Sequence, residues 1–176
     1  MAHYLEDTEV EALAFDYRHF YGDASHLHTT SQVYRRACRI IRNSLRAIAP
    51  DGLYWAVIKD RTWHGGRNKR RTRYPRAAVL NIPIYHYGNA RHERYIQDKA
   101  AMGNRYWSEK QAFGDSYGRL DPAQVSRFEG DHPAVMAHWL AEHANPSFSF
   151  DPDHRLTRRE RKHRRLAWLE RLTGRD

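Results

Sequence analysis

In the stretch SHLHTTS, His26 and His28 flank a single apolar residue, and two imidazoles so placed can ligate a divalent metal. A metal held there could stabilise charge developing on a reacting oxygen. The denser chemistry along the chain is basic. Arg67, Lys69, Arg70, Arg71, Arg73 and Arg76 fall within ten positions, with Trp63 and Tyr74 close by and Gly65-Gly66 letting the backbone approach a ligand. Cations for phosphates and aromatic rings for bases are the physical requirements for holding single-stranded or irregular nucleic acid. Two further clusters repeat the charge: Arg35, Arg39, Arg42 and Arg46, spaced four, three and four apart, and Arg158, Arg159, Arg161, Lys162, Arg164 and Arg165.

His26-Leu27-His28 resembles the His-hydrophobic-His signature of rolling-circle replication nickases and relaxases. Tyr95-Ile96-Gln97-Asp98-Lys99 resembles the Tyr-x-x-x-Lys arrangement of that group's replication members. The resemblance implies a HUH-like nickase or nuclease in which His26 and His28 hold Mg²⁺ or Mn²⁺ on the scissile phosphate. Tyr95, one helical turn from Lys99, then supplies the phenolate nucleophile with a cation beside it. The layout from Glu9 to Tyr87 is also similar, without a shared motif, to replication proteins of filamentous-phage type. In the nickase group the histidines lie on a central strand, whereas YGDAS ahead of His26 and a capping Thr30 behind His28 read as a loop. His28-Thr29-Thr30 resembles one half of the paired His-x-Thr motifs of 2H phosphoesterases, and the chain has no second half. HWLAEH lacks both His-Glu-x-x-His and His-x-x-Glu-His spacing, so His138 and Glu142 read as a surface pair.

The elements that must position these residues read as follows. Alternation of Leu13, Phe15 and Tyr17 predicts a strand from about Glu9 to Phe20. Val33, Ala37, Ile40, Ile41, Ser44 and Ile48 fall on one face of a helix from Ser31 to Ile48, capped by Thr30 or Ser31 and stopped by APDG. Arg35, Arg39, Arg42 and Arg46 would then form a solvent-facing stripe, with Ile41 and Ile48 buried beneath. Leu53 to Trp63 and Ala77 to Tyr87 are rich in β-branched and aromatic residues and predict a β-hairpin with a long charged tip, Pro83 putting the second strand at an edge or a bulge within it. A helix from Ala90 to about Phe113 buries Tyr95, Ile96, Met102, Tyr106 and Trp107; another starts near Pro133; NPSFSFDPD is an extended linker. A last helix ends at Gly174, its Leu156, His163, Leu166, Leu169, Leu172 and Trp168 giving a half that docks on the core or on a protein partner. The order predicts an α+β domain over 1–145, a small antiparallel sheet with a β-α-β-β ferredoxin-like or RRM-like opening and C-terminal helices, followed over 146–176 by a linker and a basic amphipathic helix.

Composition bounds the function. The chain has 176 residues, 30 Lys+Arg against 21 Asp+Glu and a formal net charge of +9, a balance that favours polyanionic partners. Only Lys59, Lys69, Lys99, Lys110 and Lys162 are lysines, so the basic side chain is overwhelmingly the one that holds phosphate bidentately. Cys38 stands alone, which excludes an intrachain disulfide and a cysteine-based zinc site. The acidic start MAHYLEDTEVEALAF does not read as a signal peptide, and no apolar run approaches the roughly 20 residues of a spanning helix. The expectation is a cytoplasmic or otherwise intracellular nucleic-acid-binding protein of phage or mobile-element type that needs no cofactor. It contacts phosphates through the charged tip and the arginine stripe. The nickase is the alternative reading, and a structural ribonucleoprotein or virion component is the third.

Overall fold

The computed structural model describes residues 4, 6–30, 33–49, 54–60, 62–64, 68, 70–107 and 118–174, with the backbone alone at 100 and 103–107. Of the residues singled out above, Ser31, Leu53, Gly65, Gly66, Arg67, Lys69, Lys110 and the end of the helix expected up to Phe113 lie outside that set, as do the side chains of Tyr106 and Trp107.

The fold is a mixed α+β arrangement of antiparallel strands. In chain order come β1 (Ala12–Tyr21), β2 (His26–His28), β3 (Arg36–Ile41), β4 (Ala47–Ile48), β5 (Ala56–Ile58), β6 (Thr72–Arg73) and β7 (Ala77–Asn89). They are followed by α1 (Glu93–Trp107), β8 (Val125–Arg127), α2 (Ala137–His143) and the longest helix, α3 (Arg158–Thr173). A five-stranded sheet runs β3-β1-β2-β8 with β7 also paired to β1, and a three-stranded sheet runs β4-β5-β6. The chain falls into two compact units, one of Met1–Tyr17 with Tyr34–Ile84 and one of Arg18–Val33 with Tyr85–Asp176.

In the first unit, β1 pairs antiparallel with β3 from Ala12↔Ile41 to Asp16↔Arg36, and a bulge between Leu13 and Ala14 leaves Arg39 out of register. Leu13, Phe15 and Leu80 form its core, with Tyr4, Val10, Ala78 and Ile84 packed around them. This overturns the helix expected over Ser31–Ile48. The stretch is β-branched at Val33, Ile40, Ile41 and Ile48, and β1 offers it a pairing partner, so tertiary pairing overrides a helical apolar spacing. The opening order is therefore β-β-β among the described residues, and the β-α-β-β topology is not seen. The expected hairpin is also redrawn: β5 pairs with β6, Val57 opposite Arg73, while β7 pairs with β1 and has no second strand partner among the described residues. Pro83 sits on that edge strand, the place in a sheet where a residue without an N–H is tolerated.

In the second unit, Phe20 of β1 pairs with Leu27 of β2, and β2 pairs with β8 from His26↔Arg127 to His28↔Val125. Phe20, Tyr87 and Ala90 make the core, flanked by Leu27, Tyr85, Phe128, Met136, Trp139 and Leu140. Phe20 stacks on Tyr87 with centroids 4.7 Å apart and meets Phe128 edge to face at 5.1 Å. On α1, Ile96 is half-buried but Met102 is 59% exposed, against the expectation that both are buried.

Candidate functional site

The arginines of the first unit are largely engaged with the fold. Arg36 pairs with Asp16 at 2.7 Å, and Arg39 lies over the Tyr17 ring at 5.0 Å while its Nε donates to the Tyr17 hydroxyl. Arg42 donates to the carbonyls of Val10, Tyr4 and Asp7, tying the chain start to the end of β3. Arg46 bonds His64 Nδ1 at 2.8 Å. The four therefore do not line one helix face. Arg35, Arg39 and Arg46 are exposed, whereas Arg42 is half-buried; Ile41 and Ile48 are only half-buried.

The charged tip divides in the same way. Arg73 grips Glu11 with both Nη atoms, at 2.6 and 2.5 Å, and the Arg76 backbone N–H adds a third bond at 2.8 Å. Glu11 is 5% exposed, and the Arg73 hydrogen bonds hold its pKa at about 2. Arg76 also reaches Glu9 at 2.7 Å, and Arg71 pairs with Asp60 with its guanidinium 5.9 Å from the Trp63 ring centroid. Tyr74 is 65% exposed and meets Tyr54 at 5.5 Å. Arg70 is exposed.

The C-terminal cluster is arranged differently. Thr157 and Glu160 form a reciprocal capping box, and Gly174, at φ 59°, closes α3 in the left-handed conformation that other residues adopt at a cost. One face of α3 turns inward. Arg164 forks onto Asp121, Nε to Oδ2 and Nη2 to Oδ1 both at 2.6 Å, and that pairing keeps the fully buried Asp121 carboxyl below its usual range. Glu160 accepts from Thr157, from the Asp121 backbone N–H at 3.0 Å and contacts His154 at 2.9 Å. Burial works to raise its pKa, and these hydrogen bonds outweigh burial and lower it.

The other face carries Arg158, Arg159, Arg161, Lys162 and Arg165, which with Leu166 and Leu169 line a groove of about 930 Å³. None of these five cations is in an ion pair among the described residues. Trp168, Leu169 and Leu172 are 61%, 47% and 65% exposed, so of the two expected surfaces, core or partner, the last turns of α3 do not dock on the described core. Arg164, grouped with the same cluster on sequence grounds, instead anchors the helix.

His26 and His28 lie on β2, between β1 and β8, and the loop expected there is not formed. Strand alternation sends Leu27 to the core and both imidazoles to the opposite face. His26 Nδ1 meets Asp23 Oδ1 at 2.7 Å, and His28 Nε2 meets the Thr30 hydroxyl at 3.2 Å; burial pushes the His28 pKa down. No group of three or more metal-capable side chains forms among the described residues. His138 and Glu142 are the surface pair expected, 3.2 Å apart.

Sequence reasoning missed His19. It is 5% exposed on β1, with its Nδ1 3.1 Å from His86 Nδ1 on β7, and the Phe20↔Leu27 register sets it beside His28 on β2. Three adjacent strands thus each place an imidazole on one row. The signal was available in RHFYG, where His19 precedes the core residue Phe20 and so must face the other way. On α1, Tyr95 is 37% exposed and its hydroxyl accepts from Arg94 at 3.2 Å, while Lys99 Nζ reaches the space beside Gly88 of β7.

No protein-family model, no curated protein and no solved structure matches the chain. What the side chains can do must be read from their own chemistry.

Proposed function

We propose that the chain binds nucleic acid through the outer face of α3. The observation that carries this reading is the groove lined by Arg158, Arg159, Arg161, Lys162 and Arg165, five cations outside any ion pair among the described residues. Most other arginines with described contacts are already matched to a carboxylate or a carbonyl, so α3 is where the surplus positive charge is available to phosphate. Leu166 and Leu169 supply apolar lining, and Trp168 offers an exposed ring on which a base can stack. Single-stranded or structured nucleic acid is the preferred partner.

The test is the salt dependence of binding to labelled single strands. Each phosphate contact adds about 0.7 to the slope of log K against log salt on single strands, so serine at all five positions should weaken binding and flatten the slope by about two to three. An unchanged slope in a variant that melts like the parent would move the interface elsewhere, first to Arg70 and the tip.

A second reading is favoured by one observation. The His26-Leu27-His28 stretch is strand-borne, the setting that the nickase resemblance calls for, with Asp23 orienting His26. In that reading Mg²⁺ or Mn²⁺ at His26 and His28 supplies charge stabilisation on the phosphate, and Tyr95 and Lys99 supply the nucleophile and its cation. Incubation with labelled single-stranded DNA and Mn²⁺ should then give a covalent adduct that Tyr95→Phe abolishes. Retention of DNA without cleavage or adduct leaves the chain a binder.

A further inference from the structure

Asp23, His26 and Arg127 lie outside the α3 groove, and their arrangement has a chemistry of its own. Asp23 Oδ1 takes the Ser25 backbone N–H at 2.7 Å and the Ser25 hydroxyl at 2.9 Å, so this oxygen is an acceptor, and His26 Nδ1, also 2.7 Å away, must be a donor to it. That contact selects the tautomer. In the neutral ring the lone pair lies on Nε2, which has no hydrogen-bond partner among the described residues, and the side chain is 30% exposed. Phe148 and Phe150 meet the imidazole edge to face, centroids 6.0 and 5.7 Å away, and hold its plane.

Strand β8 sets a cation beside that ring, for Arg127 stands opposite His26. Phe128 donates its N–H to the Ser25 carbonyl and Thr29 its N–H to the Gln124 carbonyl, which marks the bonded positions of the β2–β8 ladder. His26 and Arg127 fall between them as a non-hydrogen-bonded pair, with Cα atoms about 4.5 Å apart and side chains on one face. Arg127 is exposed and makes no hydrogen bond or ion pair among the described residues. A base next to an uncommitted guanidinium suits a phosphodiester that brings its own nucleophile, since the Ser25 hydroxyl is turned to Asp23. Ribose offers one in its 2′-hydroxyl.

We propose that His26 and Arg127 form a site that cleaves RNA by transesterification, with Asp23 as the positioning residue that fixes the His26 tautomer. His26 Nε2 takes the 2′-hydroxyl proton, the 2′ oxygen bonds to the adjacent phosphorus, and the bond from phosphorus to the 5′ oxygen breaks. Arg127 neutralises the charge that builds on the non-bridging oxygens. The 5′ oxygen takes a proton from water and His26 gives its own to the hydroxide so formed, leaving a 2′,3′-cyclic phosphate and a 5′-hydroxyl. The substrate class rests on the nucleic-acid reading above, while the site requires nothing of α3.

The test is incubation of the full chain with the ribodinucleotide UpA in EDTA, the products being separated by chromatography. Cyclic uridine phosphate and adenosine should form, and His26→Gln and Arg127→Ala should each slow their appearance about a hundredfold. Arg127→Ala, at an exposed position, keeps the test available if His26→Gln does not fold. Asp23→Asn should slow the reaction and, by imidazole nitrogen NMR of the neutral ring, move the Nε2 resonance from its lone-pair position toward its protonated one; an unmoved resonance overturns the role of Asp23. Absence of cleavage overturns the proposal, as does a rate undiminished in either variant, which a contaminating nuclease would give. Cleavage that EDTA abolishes overturns it too, and so does equal cleavage of the deoxy counterpart, which would make water the nucleophile. A dinucleotide is too short to need the groove, so failure here is distinguishable from failure of nucleic-acid binding at α3.

Discussion

Glu11 shows how much one carboxylate can organise. It is buried, takes four hydrogen bonds from Arg73 and Arg76, and is held at a pKa of about 2 where an unfolded glutamate titrates at about 4.3. A carboxyl lowered in the folded state contributes stability at pH above its unfolded pKa and loses that contribution as pH falls toward the folded one. Acid unfolding of the parent should therefore include a limb between about pH 4 and 2, and Glu11→Gln should flatten that limb and cost about 1–3 kcal/mol at neutral pH in chemical denaturation. Neighbouring arginines on α3 offer a sharper contrast. Arg164→Ala leaves buried Asp121 without its partner and should lower the melting temperature, whereas Arg165→Ala should leave melting unchanged and weaken nucleic-acid binding only. Equal effects of the two on stability would erase the distinction between anchor and interface.

At the scale of elements, α3 is fastened by polar groups whose charge state depends on pH. His163, half-buried on its inner face, has its pKa lowered by burial, with Arg159 and Lys162 adding to the effect, and His28 is lowered chiefly by burial. A histidine lowered in the folded state stabilises above its unfolded value of about 6.5 and loses that contribution as pH falls. The same sign holds for Asp121 and Glu160 in the carboxylate range. Hydrogen exchange of α3 amides should thus show protection falling first below about pH 6.5 and again below about pH 4, ahead of the Phe20–Tyr87 core. Protection lost simultaneously in helix and core would refute a polar fastening. This helix was legible in the sequence because its signals are local: Thr157, Glu160 three residues on, and Gly174 at the end. The stretch from Ser31 to Ile48 was misread because its apolar spacing suits a helix, while the strand that claims it lies some twenty residues earlier, from Ala12 to Asp16. The His19–His86 contact spans 67 residues, and no window along the chain could have joined them.

For the whole molecule, the net charge of +9 hid a division of labour among the arginines. Residue type alone nominated the tip and the stripe, yet their hydrogen bonds and ion pairs turn Arg42, Arg73 and Arg76 toward holding the first unit together. The carboxylates Asp121 and Glu160 lie under α3 and its five groove cations lie outside. One consequence concerns time rather than affinity. A concentrated positive face attracts a polyanion before contact, turning it toward the groove during diffusional approach. In stopped-flow mixing with a labelled oligonucleotide, the association rate should fall steeply as salt rises. Serine at the five groove positions should remove most of that dependence while leaving Glu11→Gln protein as fast as the parent. The helix that holds the ligand would then also set how quickly the ligand arrives.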